Sequence, residues 1–191
     1  LHDALPILAS CGKATTRMEV KIDSPDPQHV AGEIICRGSN LMLGYYKNAE
    51  ATFQIIDVNG WLHTGDLATM DADGYVTVRG RSKNMLLTSS GQNIYPEEIE
   101  SKLNNMPYVS ESLIVLQHDK LVALIYPDFD DAFAHGLQQT DIEKAMEANR
   151  NELNLLLPAY CQITKVKIHF EEFEKTAKKS IKRFMYQEAK G

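Results

Sequence analysis

Short alternations of apolar and polar residues dominate the first part of the chain. Residues 17–23 (RMEVKID) and 32–38 (GEIICRG) predict two strands, and the connection between them holds two prolines, which a central strand excludes. Residues 75–79 (YVTVR) again alternate with a period of two. We therefore expect this part to be mostly β, as a small barrel or sheet.

Polar signals separate these strands. Asn48 is a candidate N-cap for a short helix. Asn59-Gly60 and Asp73-Gly74 are typical of tight turns, and Thr64-Gly65-Asp66 predicts a loop after a strand.

The periodicity changes after Arg81. Residues 84–96 are an apolar strand, a polar loop with a glycine and an extended return. Pro96 then opens a helix, on which Glu97, Glu98 and Glu100 predict a charged face.

The rest of the chain continues a compact α+β order. Two apolar strands flank His118-Asp119-Lys120, an amphipathic helix is capped by Thr140 or Asp141, and residues 163–170 (ITKVKIHF) alternate like a strand. Strand, helix, two strands, helix and strand predict a small α+β domain after the β part.

Composition and charge exclude several classes of function. Of 191 residues, 43% are apolar and 24% charged, and the net charge is −6. Because nucleic-acid surfaces need clustered Lys and Arg, we expect no nucleic-acid partner. The three cysteines are widely spaced and form no CxxC pair, which suggests neither a disulfide framework nor a zinc site and fits a cytoplasmic protein without a bound metal.

Three segments together resemble a known enzyme family. GEIICRGSNLMLGYY, GWLHTGDLATMDADGYVTVRGRSKN and SSGQNIYPEEIE are similar to consecutive C-terminal signature segments of adenylate-forming enzymes, which include acyl-CoA synthetases, luciferases and peptide-synthetase adenylation domains. The resemblance covers about residues 10–187 and is nearest to bacterial long-chain fatty acid CoA ligases. It implies a mostly β terminal subdomain of the large adenylation domain (1–81), a hinge (82–83) and a small α+β C-terminal lid domain (84–191).

The resemblance assigns a nucleotide-binding role to Asp66 and Arg81. A carboxylate can accept hydrogen bonds from both hydroxyls of a ribose, and a guanidinium is a planar fork of donors suited to hydroxyl or phosphate oxygens. Without the neighbouring motifs, Asp66 would be read as a residue that caps a turn. His63 is expected to shape the loop rather than to catalyse.

The resemblance also implies roles for two further residues, one in domain rotation and one in thioester formation. Lys83 stands where the family keeps a hinge residue, although a solvated basic linker is the simpler reading of RSK. Gly91, in the SSGQN loop, is similar to the loop that lines the pantetheine tunnel for CoA. An ordinary hairpin turn explains that glycine equally well.

The resemblance is weakest in the run KTAKKSIKR. Family members carry a Thr-x-x-Gly-Lys pattern whose lysine stabilises negative charge during adenylate formation. Counting from Thr176 puts Ser180 at the lysine position. A shift of one residue makes Lys179 the catalytic candidate, with Lys182 as the other; a solvated basic tail is the alternative.

The implied activity is that of a fatty acyl-CoA ligase. The resemblance implies fatty acid, ATP and CoA as substrates, Mg²⁺ as the companion of ATP, and peripheral membrane contact through the lipid substrate. An acyl-AMP ligase, an aryl-CoA synthetase and a non-catalytic regulatory module remain alternatives.

The sequence lacks parts of the implied active site. It contains neither a Ser/Thr/Gly-rich phosphate loop nor a Tyr-Gly-x-Thr-Glu segment. We therefore expect a C-terminal fragment with negligible ligase activity, which needs the N-terminal domain of the same enzyme. The opening LHDALPIL, without an initiator Met, is interpreted as a cloning or sequencing scar.

Overall fold

The fold is α+β, and the chain divides into two compact units between Lys83 and Asn84. The computed structural model describes residues 10–187, so the segment interpreted as a scar lies outside the described residues.

The first unit is built on a four-stranded antiparallel sheet. The strands lie in sequence order and are β1 (Met18–Asp23), β2 (Gly32–Gly38), β3 (Leu62–Met70) and β4 (Val76–Arg81). A short helix, α1 (Ala49–Ile55), follows β2. The strands predicted from the alternating segments are confirmed.

Local capping and turn chemistry explain the connections of this sheet. The Asn48 side chain accepts a hydrogen bond from the amide of Ala51 at 3.0 Å, which is the predicted N-cap of α1. Gly60 and Gly74 have φ of +79° and +86°, a conformation that glycine adopts without strain. Both predicted turns are confirmed.

The prediction of a loop at Thr64-Gly65-Asp66 was wrong, because these residues lie inside β3. Gly65 has a φ of +73°, and the pairing of β3 with β2 shifts register between Glu33 and Ile35. This irregularity lets a strand carry a sequence that reads as a turn.

In the part of the second unit that the structure describes, a three-stranded sheet is combined with three α-helices. In the sheet β7 (Val109–Gln117) pairs antiparallel with β8 (Lys120–Pro127), and β9 (Ile163–Ile168) pairs parallel with β8. A parallel pair needs a long crossover, and two helices provide it, α3 (Phe129–Ala134) and α4 (Gln139–Leu156). A small hairpin and a helix precede the sheet: β5 (Leu86–Leu87), β6 (Asn93–Ile94) and α2 (Pro96–Leu103).

Both faces of this sheet are covered. One face packs against the helices, through a buried cluster that includes Ile94, Leu103, Ile114, Ile142, Met146 and Leu153. On the other face Leu113 and Val115 pack with Phe173, and Ile181 lies against the same cluster. The C-terminal segment that carries Lys179 is therefore fixed to the sheet by apolar contacts on either side of it.

Three details differ from the sequence prediction. Glu100 is 7% exposed and does not belong to a charged outer face. Helix α3 was not predicted, because six residues are too few to show a helical period. Helix α4 begins at Gln139, and Asp141 is the third residue of its first turn, where its carboxylate accepts from the amide of Gln138 at 3.2 Å.

Within residues 10–187, no helix has the length and apolar character needed to cross a membrane.

Candidate nucleotide-binding site and lid residues

Asp66 and Arg81 lie side by side at the edge of the first unit. They are directly paired in the register of β3 and β4, and Nη1 of Arg81 donates to Oδ1 of Asp66 at 2.8 Å. The side chains are 34% and 48% exposed, so a ligand can reach both groups. The structure thus brings the two predicted nucleotide-binding residues together.

The backbone around Asp66 is held by its neighbours on β2. The Thr64 hydroxyl donates to the carbonyl of Ile34 at 2.8 Å and accepts from the amide of Asp66 at 3.1 Å. A Cβ added to Gly65 would lie 3.8 Å from Nη2 of Arg81, which is ordinary contact, so the left-handed φ is what requires glycine here. The direction of the Asp66 side chain is therefore set by β2 and by Gly65.

Glu33 was not singled out in the sequence, although it lies inside the quoted segment GEIICRG. Its Oε1 accepts from the amide of Gly65 at 2.7 Å, and its Oε2 pairs with Nδ1 of His63 at 2.8 Å. The hydrogen bond from His63 to Glu33 holds the pKa of His63 above its usual value, because its effect is larger than the opposing effect of burial. A carboxylate shared by the imidazole of His63 and the amide of Gly65 can be recognised only once β2 and β3 are paired.

Lys83 lies in a single 3₁₀ turn, Ser82–Asn84, and is exposed. The division of the chain into two compact units falls directly after it. Its role as a hinge stays a prediction.

Gly91 lies in the tight turn between β5 and β6. Its φ is +79°, its amide donates to the carbonyl of Thr88 at 3.0 Å, and the space where a Cβ would stand is open. A second contact fixes this loop from outside, because Asp119 accepts from the amide of Ser89 at 2.9 Å and from its hydroxyl. The role of Gly91 towards CoA stays a prediction.

Lys179 and Lys182 occupy different positions in a C-terminal hairpin. Lys179 has a φ of +61°, and its amide donates to the carbonyl of Thr176 at 2.9 Å. The ammonium of Lys182 pairs with Glu174 at 3.3 Å. The structure therefore leaves Lys179 at the tip of a turn and ties Lys182 to its base.

A buried ion pair holds this C-terminal segment, and sequence reasoning missed it. Arg183 binds Glu100 through both of its terminal nitrogens, and their side chains are only 13% and 9% exposed. Glu100 also accepts from the amide of Ile114 at 2.7 Å. Burial raises the pKa of Glu100, while the bonds from Arg183 and Ile114 act in the opposite direction.

Comparison with known proteins identifies the family. The model of the AMP-binding enzyme C-terminal domain matches residues 83–189. The chain belongs to the AMP-binding enzyme family. Among its relatives is a 2-methylpropanoate–CoA ligase of Humulus lupulus, which is 32% identical to the chain over 91% of the chain and 32% of the ligase's own length. A putative acyl-CoA synthetase of Bacillus subtilis is 45% identical over 54% of the chain and 20% of its own length.

Solved structures of adenylate-forming ligases share the fold. The anthranilate CoA ligase AuaEII in complex with anthranoyl-AMP matches with a TM-score of 0.74 and 28% identity, over 93% of this chain and 33% of its own. The Bacillus subtilis o-succinylbenzoate CoA synthetase in complex with its acyl-adenylate intermediate matches with a TM-score of 0.75 and 25% identity, over 96% of this chain and 36% of its own. The family member described here thus spans about a fifth to a third of the length of its relatives.

Proposed function

We propose that the chain is the C-terminal part of an acid–thiol ligase that converts a fatty acid to its CoA thioester. In the first step a carboxylate oxygen attacks the α-phosphorus of ATP, and pyrophosphate leaves to give acyl-AMP. In the second step the CoA thiol attacks the acyl carbon, loses its proton, and AMP leaves. Adenylation gives the carboxylate a good leaving group, and one site can serve both steps if the lid rotates between them.

The observation that carries this proposal is the pairing of Asp66 with Arg81. The carboxylate and guanidinium lie 2.8 Å apart, are open to a ligand, and can accept from and donate to the two hydroxyls of one ribose. In the proposal they hold the ribose of ATP and of acyl-AMP. Both residues belong to the first unit, which ends at Lys83.

Magnesium enters the proposal as the companion of ATP. Among residues 10–187, no three His, Cys, Asp or Glu side chains are placed to hold a metal ion together. No step is therefore assigned to a metal held by these residues.

Some relatives support a fatty acid as the substrate, and others support a different acid. Long-chain-fatty-acid–CoA ligases of Gallus gallus and Homo sapiens are 35% and 33% identical to the chain over 119 and 150 residues. Other relatives are named for 2-methylpropanoate and anthranilate, so an aryl-CoA synthetase or an acyl-AMP ligase is the competing assignment. Assays of the complete enzyme with a series of acids, and with CoA against a carrier protein, separate these possibilities.

A titration of the ¹⁵N-labelled chain tests the ribose site directly. We expect AMP to shift the amides of Gly65, Asp66 and Arg81. We expect 2′,3′-dideoxy-AMP to bind more weakly, by at least about tenfold, because two hydrogen bonds to charged groups are lost. Asp66→Asn should remove most of the difference between the two ligands, whereas Asp73→Asn, at an exposed turn, should not. Equal affinities of the wild type for the two nucleotides would refute the site.

The isolated chain should have negligible ligase activity. The phosphate loop is not in its sequence, so ATP, oleate and CoA should give no acyl-CoA above a no-protein control. Formation of acyl-CoA by the purified chain would contradict this expectation.

One observation favours a second candidate, a regulatory module without its own adenylation chemistry. Lys179 has the left-handed backbone expected of the glycine in the family's Thr-x-x-Gly-Lys pattern, which puts Ser180 in the lysine position without any shift. Substituting Lys179 and Lys182 separately in the complete enzyme decides between the candidates. Loss of adenylation with either variant identifies the catalytic lysine. Undiminished adenylation by both variants favours the module, because this part of the enzyme would then contribute no lysine to the chemistry.

A further inference from the structure

Glu33 connects two residues that precede Asp66 on the neighbouring strand. It is the second residue of β2 and lies where the register of β2 and β3 shifts. Its carboxylate binds the amide of Gly65 at 2.7 Å with one oxygen and His63 at 2.8 Å with the other. The Glu33 side chain is only 26% exposed and is directed at β3 by these two contacts.

The contact with Gly65 bears directly on Asp66. The amide of Gly65 belongs to a residue with a φ of +73°, and the direction of the next side chain depends on that dihedral angle. A charged carboxylate is a strong acceptor for a backbone amide and therefore favours this conformation over the alternatives. Without it, the Asp66 carboxylate would lose its fixed position opposite Arg81.

We propose that Glu33 is a positioning residue of the nucleotide site and that its pairing with His63 makes nucleotide affinity fall as the pH rises. The inference rests on the proposed function of Asp66 and Arg81. It extends that function by assigning the conformation of the site to a carboxylate on β2 that does not touch the ligand.

The charges around His63 determine the direction of the pH effect. Three carboxylates face it: Glu33 on β2, Asp57 in the connection before β3, and Asp23 at the end of β1; all of them raise its pKa, while burial lowers it. The ion pair between protonated His63 and Glu33 is fully formed when the pH is below the pKa that His63 has in the unfolded chain. The ion pair is lost as the pH rises through the higher pKa that His63 has in the folded chain. The Glu33 carboxylate is then less firmly held, and the backbone of Gly65 and Asp66 is less firmly held as a result.

Adenosine is the appropriate probe for the pH series. The phosphate of AMP has a second pKa of about 6 and would titrate in the same range, whereas adenosine keeps the ribose hydroxyls without that group. Adenosine affinity of the whole chain is measured by the amide shifts of Asp66 and Arg81 between about pH 6 and pH 9, and the imidazole resonances of His63 give its titration in the same samples.

Two substitutions separate the charge of Glu33 from its hydrogen bonds. Glu33→Gln keeps an oxygen for Gly65 but carries no charge, so its affinity for adenosine should fall by about threefold at pH 6, to the level of the wild type at pH 9, and stay flat between them. Glu33→Ala should bind about tenfold more weakly than the wild type at pH 6. Glu19→Gln, which removes a carboxylate paired with Arg37 on the same sheet, should keep the wild-type pH profile.

The outcomes distinguish this inference from the function on which it rests. If the wild type binds adenosine and Glu33→Ala, folded by its amide spectrum, binds it equally well, Glu33 has no positioning role and the ribose site stands. A Glu33→Gln variant that keeps the pH dependence would also overturn the inference. If the wild type shows no shift at Asp66 or Arg81 at millimolar adenosine, the ribose site itself fails and the inference with it.

Discussion

Lys179 is held in a backbone conformation that costs an L-residue free energy. Its φ of +61° lies in the left-handed region, where the Cβ approaches its own carbonyl group. The turn is closed by the amide of Thr176, which donates to the carbonyl of Ser180 at 2.8 Å. A strained lysine at the tip of a turn is a position where glycine would fit better.

The substitution Lys179→Gly should therefore tighten this turn. Relief of the left-handed strain, offset in part by the greater freedom of glycine in the open state, leaves roughly 0.5–1 kcal/mol in favour of the closed turn. Hydrogen exchange of the Thr176 amide should slow by about two- to fivefold, as measured by NMR.

Lys178→Gly is the matched control for that experiment. Lys178 is not among the residues with positive φ, so glycine there relieves no strain and should speed the exchange of Thr176. Equal acceleration by both variants would show that the conformation of Lys179 is not strained in solution.

The burial of Glu100 could not be predicted from the residues next to it in the sequence. In the sequence it follows Glu97 and Glu98 and has the pattern of an exposed helix face. Its partner Arg183 is 83 residues away, and the pair is recognisable only after the C-terminal segment has packed on the sheet. The charge of a helix position predicts exposure only when no partner of opposite charge can reach it.

Two exposed turns of the second unit are joined by one carboxylate. Asp119, in the β7–β8 turn, has a φ of +60° and accepts both hydrogen bonds from Ser89 in the loop that contains Gly91. These hydrogen bonds, the side-chain bond first, hold the pKa of Asp119 below its usual value. The loop proposed to serve CoA is thus fixed from a neighbouring element.

Asp119→Asn should loosen this loop without disturbing its own turn. Asparagine tolerates the left-handed conformation, so the main loss is the charge that strengthens the bonds to Ser89. We expect the amide of Ser89 to exchange several-fold faster at neutral pH, by NMR. Asp73→Asn, at a turn of the first unit, should leave that amide unchanged, and an unaltered Ser89 in Asp119→Asn would speak against the contact.

Acidification should have the same effect on the wild type. The folded state lowers the pKa of Asp119 below an unfolded value of about 3.9, so the contribution of this carboxylate is complete above that value and is lost as the pH falls through the folded pKa. The Ser89 amide shift should stay constant down to about pH 4 and move below it. A shift that moves between pH 8 and pH 5 would indicate a different titrating group.

At the scale of elements, prediction succeeded where the signal is local. The cap at Asn48, the turns at Gly60 and Gly74, and the strands of both sheets follow from residues close in sequence. It failed for Thr64-Gly65-Asp66, because only the pairing of β3 with β2 places a left-handed glycine inside a strand. The motif residues Asp66 and Arg81 could be named in advance, while Glu33, which binds the amide of Gly65 next to Asp66, could not.

Each unit of the molecule has its own buried core. Ile22, Ala68 and Val76 form the cluster of the first, and a larger cluster that includes Leu103 and Ile114 forms that of the second. A unit with its own core can unfold separately when few contacts cross its boundary. The hinge proposed at Lys83 requires this independence, since a lid cannot rotate if its core is shared.

Leu103→Ala tests the independence of the two units. Leu103 is fully buried in α2, so removing its side chain should cost the second unit about 2–5 kcal/mol. Leu87→Ala, at a leucine that is 59% exposed in the same unit, should stay within about 0.5 kcal/mol of the wild type. In Leu103→Ala, hydrogen exchange should accelerate for the amides of β7 and β8 and remain unchanged for β1 to β4. Equal acceleration in both sheets would show a single cooperative structure, in which Lys83 could not act as a hinge.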